Sequence, residues 1–441
     1  MGIEVIPVGG YDEVGRNMTA IKIDDDIIIF DMGLYIPAIV GFEDNEQERL
    51  SEEDLKKIRA IPEDSILDNE RDKVKAIIIG HAHLDHIGAL PYLSKKYKAP
   101  IIGTPYTIKV VDAIIKDKGK KPQNKLIPIM LGNSFRINKN LKVEFLNMTH
   151  SIPQTSLVII HTRYGKIAYS LDFKLDNSPV LGNKPNYNKL RSLKNVKLLF
   201  LDSLYAKEDS KTPSEKVARE MLREVLLGTN NKGKAIVVTT FSSHIARLKS
   251  IVEFGHKLRR KVVFLGRSLN RYVRAAEEVG IVNFSKRVEI VAYGAKIRKK
   301  LKQINKEGAH RYLIVCTGNQ AEPNSVLTKI ARDQFHFKFQ KDDHIIFSCR
   351  TIPAEDNIKN RKKLEDTLKS KGCRLFLDVH SSGHGQREDE RDLIELLKPQ
   401  HIIPAHGPKE IVSPSKELAK EIGYKDSQIH ILRNGQRLKL S

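Results

Sequence analysis

The chain has 441 residues, of which 40% are hydrophobic, so it is too long for one small domain and too apolar to be largely disordered. Its 76 Lys and Arg residues outnumber its 54 Asp and Glu residues, and the net charge of +22 favours a polyanionic partner such as nucleic acid. The alternative is a basic surface that only keeps the protein in solution.

The cysteines and the apolar runs bear on the cellular compartment. Cys316, Cys349 and Cys373 are too few and too widely spaced for a disulfide framework or a thiolate zinc site, which is typical of a reducing cytosol. No run approaches the roughly 20 apolar residues that cross a bilayer. The N-terminus lacks the cationic and apolar regions of a signal peptide. We therefore expect a cytoplasmic protein with no membrane partner.

The first half of the chain predicts short strands with a few helices between them. Strands are expected, in chain order, at 3–8, 18–23, 27–30, 76–79, 100–103, 141–146, 157–161, 166–171 and 198–201. Helices are expected at 84–95 and 106–118, and a polar stretch at 43–72 with a helix at 52–59 predicts a surface insertion. The first three strands predict an antiparallel meander. The mixture of hairpins and crossovers predicts sheets covered by helices on their outer faces.

After Asp202, helices and strands alternate regularly. Predicted helices at 214–227, 243–258 and 270–279 alternate with predicted strands at 235–239, 261–265, 312–316 and 344–348. This order is typical of a parallel, doubly wound sheet, so we expect a second domain here. Later strands and helices could extend either domain; they are expected at 374–379, 401–404, 355–370 and 387–397.

Three basic runs stand out, at 116–121, 259–261 and 296–302. Each is either a solvated surface or a contact to a polyanionic substrate. The sequence alone does not decide between these two interpretations.

Four ligand-type side chains follow the predicted strand 76–79, in His81-Ala82-His83-Leu84-Asp85-His86. While the backbone is extended, His81 and His83 project to the same side, so both rings can reach one metal ion. Asp85 and His86 begin the next helix, whose turn directs them toward a second point. Imidazole nitrogen and carboxylate oxygen are ligands that Zn²⁺ and Mn²⁺ accept. The cluster therefore predicts a dinuclear metal centre.

Further ligand candidates lie near the ends of other predicted strands. His150 follows the strand at 141–146, Asp172 follows the strand at 166–171, and His406 follows the strand at 401–404. Loops at strand ends present side chains to a common edge, so these three can join the cluster.

The order His-x-His-x-Asp-His, then a separated His, an Asp and a final His, resembles the signature of the metallo-β-lactamase superfamily. The resemblance implies that one metal ion is held by His81, His83 and His150, and the other by Asp85, His86 and His406. It implies that Asp172 bridges the two ions.

The parallel α/β pattern between Asp172 and His406 resembles the inserted domain of the β-CASP nucleases. Asp202 at a strand end and His384 in a Ser-Gly-His context match further β-CASP motifs, and the stretches 317–323 and 380–385 resemble ribonuclease J. The resemblance implies an α/β fold, an αββα metallo-β-lactamase sandwich with an inserted parallel α/β β-CASP domain. The expected segments are 1–206 and 349–441 for the sandwich and 207–348 for the insertion.

The same resemblance implies site roles beyond the metal ligands. Catalytic roles are implied for His384, Asp202 and Asp85, and phosphate or RNA contacts for His380, Ser382, Gly383 and His384. Two positions depart from the family pattern, since Gly385 stands where Ala is usual and Asp202 where Glu is common. The end of the chain at Ser441 resembles the shorter archaeal form without the bacterial C-terminal domain, and a homodimer is left open.

The implied function is metal-dependent hydrolysis of RNA phosphodiester bonds in RNA processing and decay. The implied cofactors are two divalent metal ions, Zn²⁺ or alternatively Mn²⁺, and the implied partner is RNA. We expect a 5′-to-3′ exonuclease that prefers 5′-monophosphate ends. Three alternatives stay open: an endoribonuclease like the cleavage and polyadenylation factor enzymes, a small-molecule metallohydrolase and a metal-free RNA-binding paralogue.

Overall fold

The computed structural model describes residues 2–42, 50–352 and 355–440. The strands are β1 (Ile3–Gly9), β2 (Met18–Ile23), β3 (Asp26–Phe30), β4 (Val74–Ile78), β5 (Ile101–Gly103), β6 (Leu126–Pro128), β7 (Ser134–Arg136), β8 (Lys142–Asn147), β9 (Ser156–Thr162), β10 (Gly165–Ser170), β11 (Val196–Asp202), β12 (Ile236–Thr239), β13 (Lys261–Leu265), β14 (Val288–Val291), β15 (Tyr312–Cys316), β16 (His344–Phe347), β17 (Arg374–Phe376), β18 (His401–Ala405) and β19 (Leu438–Leu440).

The described α-helices are α1 (Glu52–Lys57), α2 (Leu84–Ile87), α3 (Leu90–Leu93), α4 (Pro105–Asp117), α5 (Tyr187–Ser192), α6 (Glu215–Leu227), α7 (Ile245–Lys257), α8 (Arg267–Glu278), α9 (Gly294–Glu307), α10 (Val326–Ala331), α11 (Glu355–Ser370), α12 (Arg387–Leu397) and α13 (Lys409–Glu421). Within the described ranges, none of the helices has the length and apolar character to span a membrane.

Two mixed β-sheets pack face to face in the first domain. One has the order β19-β1-β2-β3-β4-β5-β6 and the other β18-β11-β10-β9-β8-β7. Between them lies a core of aromatic and aliphatic side chains, in which Phe30 and Tyr169 stack with ring centroids 4.3 Å apart. Helix α4 packs on the outer face of the first sheet, and α12 and α13 on that of the second. The expected αββα sandwich is confirmed, as is the antiparallel meander of β1 to β3.

The chain between β11 and β18 forms a second domain around a wholly parallel sheet. Its order is β14-β13-β15-β12-β16-β17, and every neighbouring pair is parallel, as the alternating pattern predicted. Because β17 pairs with β16, this sheet extends past the boundary expected at 348. Strand β18 instead pairs with β11 and returns the chain to the first domain.

The helix expected at 84–95 is divided into α2, α3 and a following 3₁₀ turn. The carbonyl oxygen of Asp85 accepts the backbone amide of Asn17 at 2.9 Å, and the amide of Ala89 donates to the carbonyl of Met32 at 2.9 Å. Pro91 has no amide hydrogen to donate. The prediction of one continuous helix is wrong because contacts from a distant loop replace the bonds within the helix.

Several elements were not predicted from the sequence, among them the short strands β6, β7, β14 and β19 and the 14-residue helix α9. Strands of three or four residues carry too few alternating positions to be recognised. Helix α9 contains the basic run at 296–302, whose lysines obscure its apolar face. The surface insertion expected at 43–72 contains α1, and its residues 43–49 lie outside the described ranges.

Four buried charges lie where the chain passes between the two domains. Arg247 of α7 donates through Nε and Nη2 to the two carboxylate oxygens of Glu215, at 2.6 and 2.8 Å. The ammonium of Lys174 lies 3.5 Å from an oxygen of Asp176, which accepts the backbone amide of Glu215 at 2.8 Å. Two positive and two negative charges therefore offset one another out of contact with water.

Arg247 also holds the segment that returns from the second domain. Its Nη1 donates to the carbonyl oxygens of Ser348 and Val379, at 2.8 and 3.3 Å, and its Nη2 lies 3.5 Å from the carbonyl oxygen of Ser381. Ser348 follows β16, and Val379 and Ser381 follow β17. One fully buried side chain thus joins α7 to both of these segments.

We expect Arg247→Ala to lower the free energy of unfolding by about 3–5 kcal/mol, because the carboxylate of Glu215 would stay buried without its partner. Urea denaturation followed by circular dichroism measures this loss. The matched control is Arg223→Ala, which removes an exposed pair with Glu220 and is expected to leave the stability unchanged. A loss no larger than that of the control would contradict the prediction.

Candidate active site

Three imidazole rings converge beyond the end of β4. His83 has extended backbone, with φ −76° and ψ 150°, and is the N-cap residue of α2. Its Nδ1 atom lies 3.1 Å from Nε2 of His81. Nε2 of His150, which follows β8, lies 3.0 Å from Nδ1 of His83. The spacing of two residues therefore places His81 and His83 at one point, and a distant strand end supplies the third ring.

A second group forms beside the first, from the start of α2 and the end of β18. The Nε2 atom of His86 lies 3.5 Å from Oδ2 of Asp85. The Nε2 atom of His406 lies 3.8 Å from the same oxygen. The helical turn thus directs Asp85 and His86 to a point different from that of His81 and His83.

Asp172 belongs to both groups. Its Oδ2 atom lies 3.4 Å from Nε2 of His81 and 3.3 Å from Nε2 of His86, and its Oδ1 atom lies 3.7 Å from Nε2 of His406. Within each group the ligand-type atoms lie within 4.8 Å of one another; the groups are His81, His83, His150 and Asp172, and Asp85, His86, Asp172 and His406.

The chemistry of these atoms fits divalent metal ions. Only one hydrogen can lie between two facing ring nitrogens, and Nδ1 of His83 faces the Nε2 atoms of both His81 and His150, so the three nitrogens cannot all be satisfied by one another. Burial lowers the pKa of His83 and of His150, which keeps both rings neutral with lone pairs to offer. Oδ1 of Asp172 is buried and has no hydrogen-bond partner in the described parts of the chain. Imidazole and carboxylate are the donor set of zinc and manganese sites.

The backbone is strained at two of these positions. Asp172 has φ 56° and His406 has φ 71°, both in the left-handed region that favours glycine. Such residues cost of order 1–3 kcal/mol each, and they concentrate at functional sites where the surrounding fold enforces them. Each one turns the chain sharply after its strand, and the side chain is thereby directed back toward the cluster.

Residues outside the cluster orient its rings. The Nδ1 atom of His86 lies 2.7 Å from Oδ2 of Asp31, and the same carboxylate accepts the hydroxyl of Tyr169 at 2.7 Å and the amide of Gly80 at 3.1 Å. Nδ1 of His406 lies 3.0 Å from Oδ1 of Asn17. When each Nδ1 donates, the Nε2 lone pair faces the cluster, which is how outer partners fix metal-ligating histidines.

The segment that follows β17 supplies the partner of His150. The carbonyl oxygen of Gly383 accepts Nδ1 of His150 at 2.7 Å. A Cβ atom at position 383 would lie 2.8 Å from that imidazole, so only glycine allows this close approach. From the second domain, the hydroxyl of Ser243 lies 3.1 Å from Nε2 of His83. Both domains therefore contact the cluster.

The expected catalytic pair lies at the edge of the cluster. Nδ1 of His384 lies 2.8 Å from Oδ2 of Asp202, and Nε2 of His384 lies 3.9 Å from Oδ2 of Asp172. Burial lowers the pKa of His384, but the charges of Asp202 and Asp172 outweigh it and raise the pKa to about 9. The shorter Asp202, in place of the usual Glu, therefore still reaches the ring.

The expected phosphate-binding residues lie on the same short segment as His384. The Ser382 hydroxyl oxygen accepts the backbone amide of His384 at 3.0 Å. Burial, with a smaller contribution from Arg247, lowers the pKa of His380 to about 2, so its ring is neutral. Its Nδ1 atom has no hydrogen-bond partner among the described residues.

Sequence reasoning did not identify Asn17, Asp31 or Ser243 as part of the site. Each is a single polar residue beside a strand or helix, with no neighbouring ligand motif to distinguish it. The position of Asp31 directly after the buried strand β3 was the available signal, since it matches that of Asp172 after β10.

We expect Asp31→Asn to weaken the binding of Mn²⁺ or Zn²⁺ about 10–100-fold, because the amide is a poorer acceptor for the His86 ring. Titration against a competing chelator measures the affinity. Tyr169→Phe is the matched control, since it removes one donor to the same carboxylate and keeps the His86 contact. An affinity for Asp31→Asn equal to that of the wild type would contradict this role.

Three family models match successive parts of the chain. A β-lactamase superfamily domain matches residues 57–231, the ribonuclease J β-CASP domain matches residues 233–364, and the Zn-dependent metallo-hydrolase RNA specificity domain matches residues 373–431. A solved structure of a protein of unknown function from Enterococcus faecalis V583 covers both chains completely with a TM-score of 0.64. Its identity is 16%, so this likeness supports the fold alone.

Similar proteins match the chain over nearly its whole length. A ribonuclease J of Methanocaldococcus jannaschii is 43% identical over 442 residues, which is 99% of each chain. A ribonuclease J of Pyrococcus abyssi is 38% identical and covers 99% of this chain and 97% of its own. A ribonuclease J 1 of Streptococcus pyogenes is 31% identical and covers 100% of this chain and 74% of its own. The chain therefore belongs to the ribonuclease J family, within the β-CASP group of metallo-β-lactamase proteins.

Proposed function

We propose that this protein removes nucleotides one at a time from the 5′ end of RNA and prefers ends that carry a 5′ monophosphate. The family supplies the coarser activity, metal-dependent hydrolysis of RNA. The observation that carries the finer proposal is the His384–Asp202 pair, which lies against the ligand cluster. His384 is on the same segment as the expected phosphate contacts.

The cytoplasm is the proposed location, since the three cysteines are buried free thiols.

The two groups of ligands would hold two divalent ions, zinc or manganese, with Asp172 shared between them. One group adds His81, His83 and His150, and the other adds Asp85, His86 and His406. When bound, the ions supply Lewis-acid charge for the hydrolysis of a phosphodiester. Asp85, whose side chain is 23% exposed, is the carboxylate of the cluster that an attacking water reaches most easily, and we assign it the role of orienting that water.

His384 is the proposed general acid for the departing 3′ oxygen. Its Nδ1 atom is engaged by Asp202, so its Nε2 atom is the one that faces the cluster. A scissile phosphate placed over the cluster would therefore lie within reach of Nε2. Asp202 is itself almost fully buried, so it holds the ring in this orientation without reaching the substrate.

The segment from His380 to Gly383 is the proposed site for the 5′-terminal phosphate. Because the Ser382 oxygen already accepts an amide hydrogen, its own hydroxyl hydrogen is free to donate to a phosphate oxygen. A terminal phosphate held at one distance from the cluster places the first linkage over the ligands, so each cleavage releases one nucleotide and regenerates the same end. A triphosphate adds bulk and charge that such a pocket has no room to accept.

We expect His384→Ala to lower kcat about 10²- to 10⁴-fold on every RNA, because the leaving oxygen would depart without a proton donor. Single-turnover cleavage of a labelled RNA measures the rate. The matched control is His161→Ala, which removes a histidine that contacts Glu144 on β8, in the second sheet. Full activity of His384→Ala would remove this residue from the chemistry.

We expect Ser382→Ala to reduce the preference for 5′-monophosphate over 5′-triphosphate RNA more than it slows cleavage of internal linkages. The assay is a time course on one RNA, labelled either at the 5′ end or internally, with each type of end. Ser370→Ala, an exposed serine at the end of α11, is the control and should keep the preference. Internal fragments that appear first, at equal rates for both ends, would replace the exonuclease proposal by an endonuclease.

A further inference from the structure

The three basic runs of the sequence have different surroundings in the structure. In the first, Lys116 forms an ion pair with Asp112 at 2.6 Å. In the second, Arg260 is buried and donates to backbone carbonyls, and Lys261 pairs with Glu307 at 3.1 Å. In both of these runs, part of the positive charge is therefore already paired or buried within the protein. The third run, at 296–302, lies on α9.

The charged side chains of α9 that are fully exposed are all cationic. Lys299, Lys302 and Lys306 follow one another at spacings of three and four residues, so they lie on one side of the helix, and Lys296 and Arg298 flank them. All five are exposed, and none forms an ion pair with a residue in the described ranges.

This face is costly for the protein in isolation. Like charges three or four residues apart destabilise a helix by a few tenths of a kcal/mol per pair. The acidic residue of α9, Glu307, is engaged by Lys261 and Tyr312 and does not neutralise the lysines. By contrast, α11 mixes its lysines with acidic residues, including Glu365 and Asp366. A polyanion would remove the repulsion on α9.

The position of α9 connects this face to the active site. The parallel strands β12, β13 and β14 all end at the same edge of their sheet, and the loop after β12 brings Ser243 to His83. Tyr293 stands two residues beyond β14, hence at that edge and three strands from β12. At a strand spacing of about 4.8 Å, the ends of β12 and β14 lie about 15 Å apart across the sheet. An RNA strand that leaves the cluster along this edge reaches Tyr293 first and then the lysines.

Tyr293 has the exposure that a base-stacking residue needs. Its side chain is 61% exposed, the largest value among the exposed large hydrophobic residues of the described structure. A solvent-facing aromatic ring beside a cationic groove or face is the combination by which proteins hold single-stranded nucleic acid, through stacking on bases and attraction to phosphates.

We propose that Tyr293 and the lysine face of α9 bind the single-stranded RNA that extends away from the cluster of ligand-type residues. The proposal rests on RNA as the substrate, and it adds a second contact region outside the metal cluster. RNA that is long enough engages both regions at once, which strengthens binding without any change at the cluster. A dinucleotide, which has a single linkage to cleave, is too short to reach Tyr293 and gains nothing from it.

The test compares two triple variants with the same change in charge. One combines Lys299→Ala, Lys302→Ala and Lys306→Ala. The control combines Lys359→Ala, Lys362→Ala and Lys363→Ala, which removes three exposed lysines from α11, the helix that packs at the opposite edge of the same sheet. Alanine favours helix at every one of these positions. Fluorescence anisotropy measures the affinity for a long unstructured RNA at several salt concentrations, and a cleavage assay measures turnover of a dinucleotide.

For the α9 variant we expect the slope of log affinity against log salt to fall by about 2, at about 0.7 for each phosphate that the protein no longer neutralises. Its cleavage of the dinucleotide should equal that of the wild type. The α11 variant should keep the wild-type slope. Tyr293→Ala should weaken binding of long RNA by roughly fivefold or more, whereas Tyr293→Phe should retain it.

An unchanged slope for the α9 variant, or an equal fall for the α11 variant, would overturn the proposal. Polyglutamate that competes with RNA for this face at equal charge concentration would also overturn it, because an acidic protein segment would then be the better candidate. The binding assay is independent of cleavage. A wild-type protein that binds long RNA through α9 but cleaves no RNA would refute the proposed function and leave the α9 surface supported.

Discussion

Five imidazole rings surround one buried carboxylate, that of Asp172, and the rest of the site depends on this constraint. Their nearest nitrogens lie between 3.3 and 3.9 Å from its oxygens. Burial alone would raise the pKa of Asp172, but His406, His86 and His384 hold it well below its usual range. A carboxylate that stays charged out of contact with water needs positive charge beside it, and divalent cations supply more of it than imidazoles do. A divalent cation bound at the cluster would therefore stabilise the charged form of this carboxylate.

Both sheets and the inserted domain take part in meeting this constraint. The stack of Phe30 on Tyr169 joins the two sheets, and the Tyr169 hydroxyl donates to Asp31, which orients His86. Packing in the sandwich is thereby coupled directly to the orientation of the His86 ring. From the other side, Arg247 holds the carbonyl of Val379, a few residues before Gly383 and His384. The inserted domain therefore positions part of the site.

Features with a repeated pattern could be predicted from the sequence, and features that depend on a single contact could not. The buried strands and the cluster from His81 to His86 rest on spacing within a few residues, which the sequence displays directly. Asn17 contacts His406, from which it is separated by almost the whole sequence, and no local sequence pattern indicates this contact. The break after α2 has the same origin, because the amide of Asn17 takes the carbonyl of Asp85. A strand at 374–379 was predicted, but its place in the inserted sheet was left open, because the pairing of β17 with β16 joins segments on either side of a helix.

The net charge of +22 illustrates why composition alone could not identify a binding surface. A guanidinium such as that of Arg260, buried and bonded to backbone carbonyls, counts fully in the sum but offers nothing to a partner. An ammonium paired with a carboxylate, such as that of Lys261, likewise attracts little beyond its own partner. A polyanion is attracted by the charge that the fold leaves exposed and unpaired on one surface. On α9 the folding of the second domain turns the apolar positions inward and thereby gathers those charges, so the relevant quantity is their placement rather than their number.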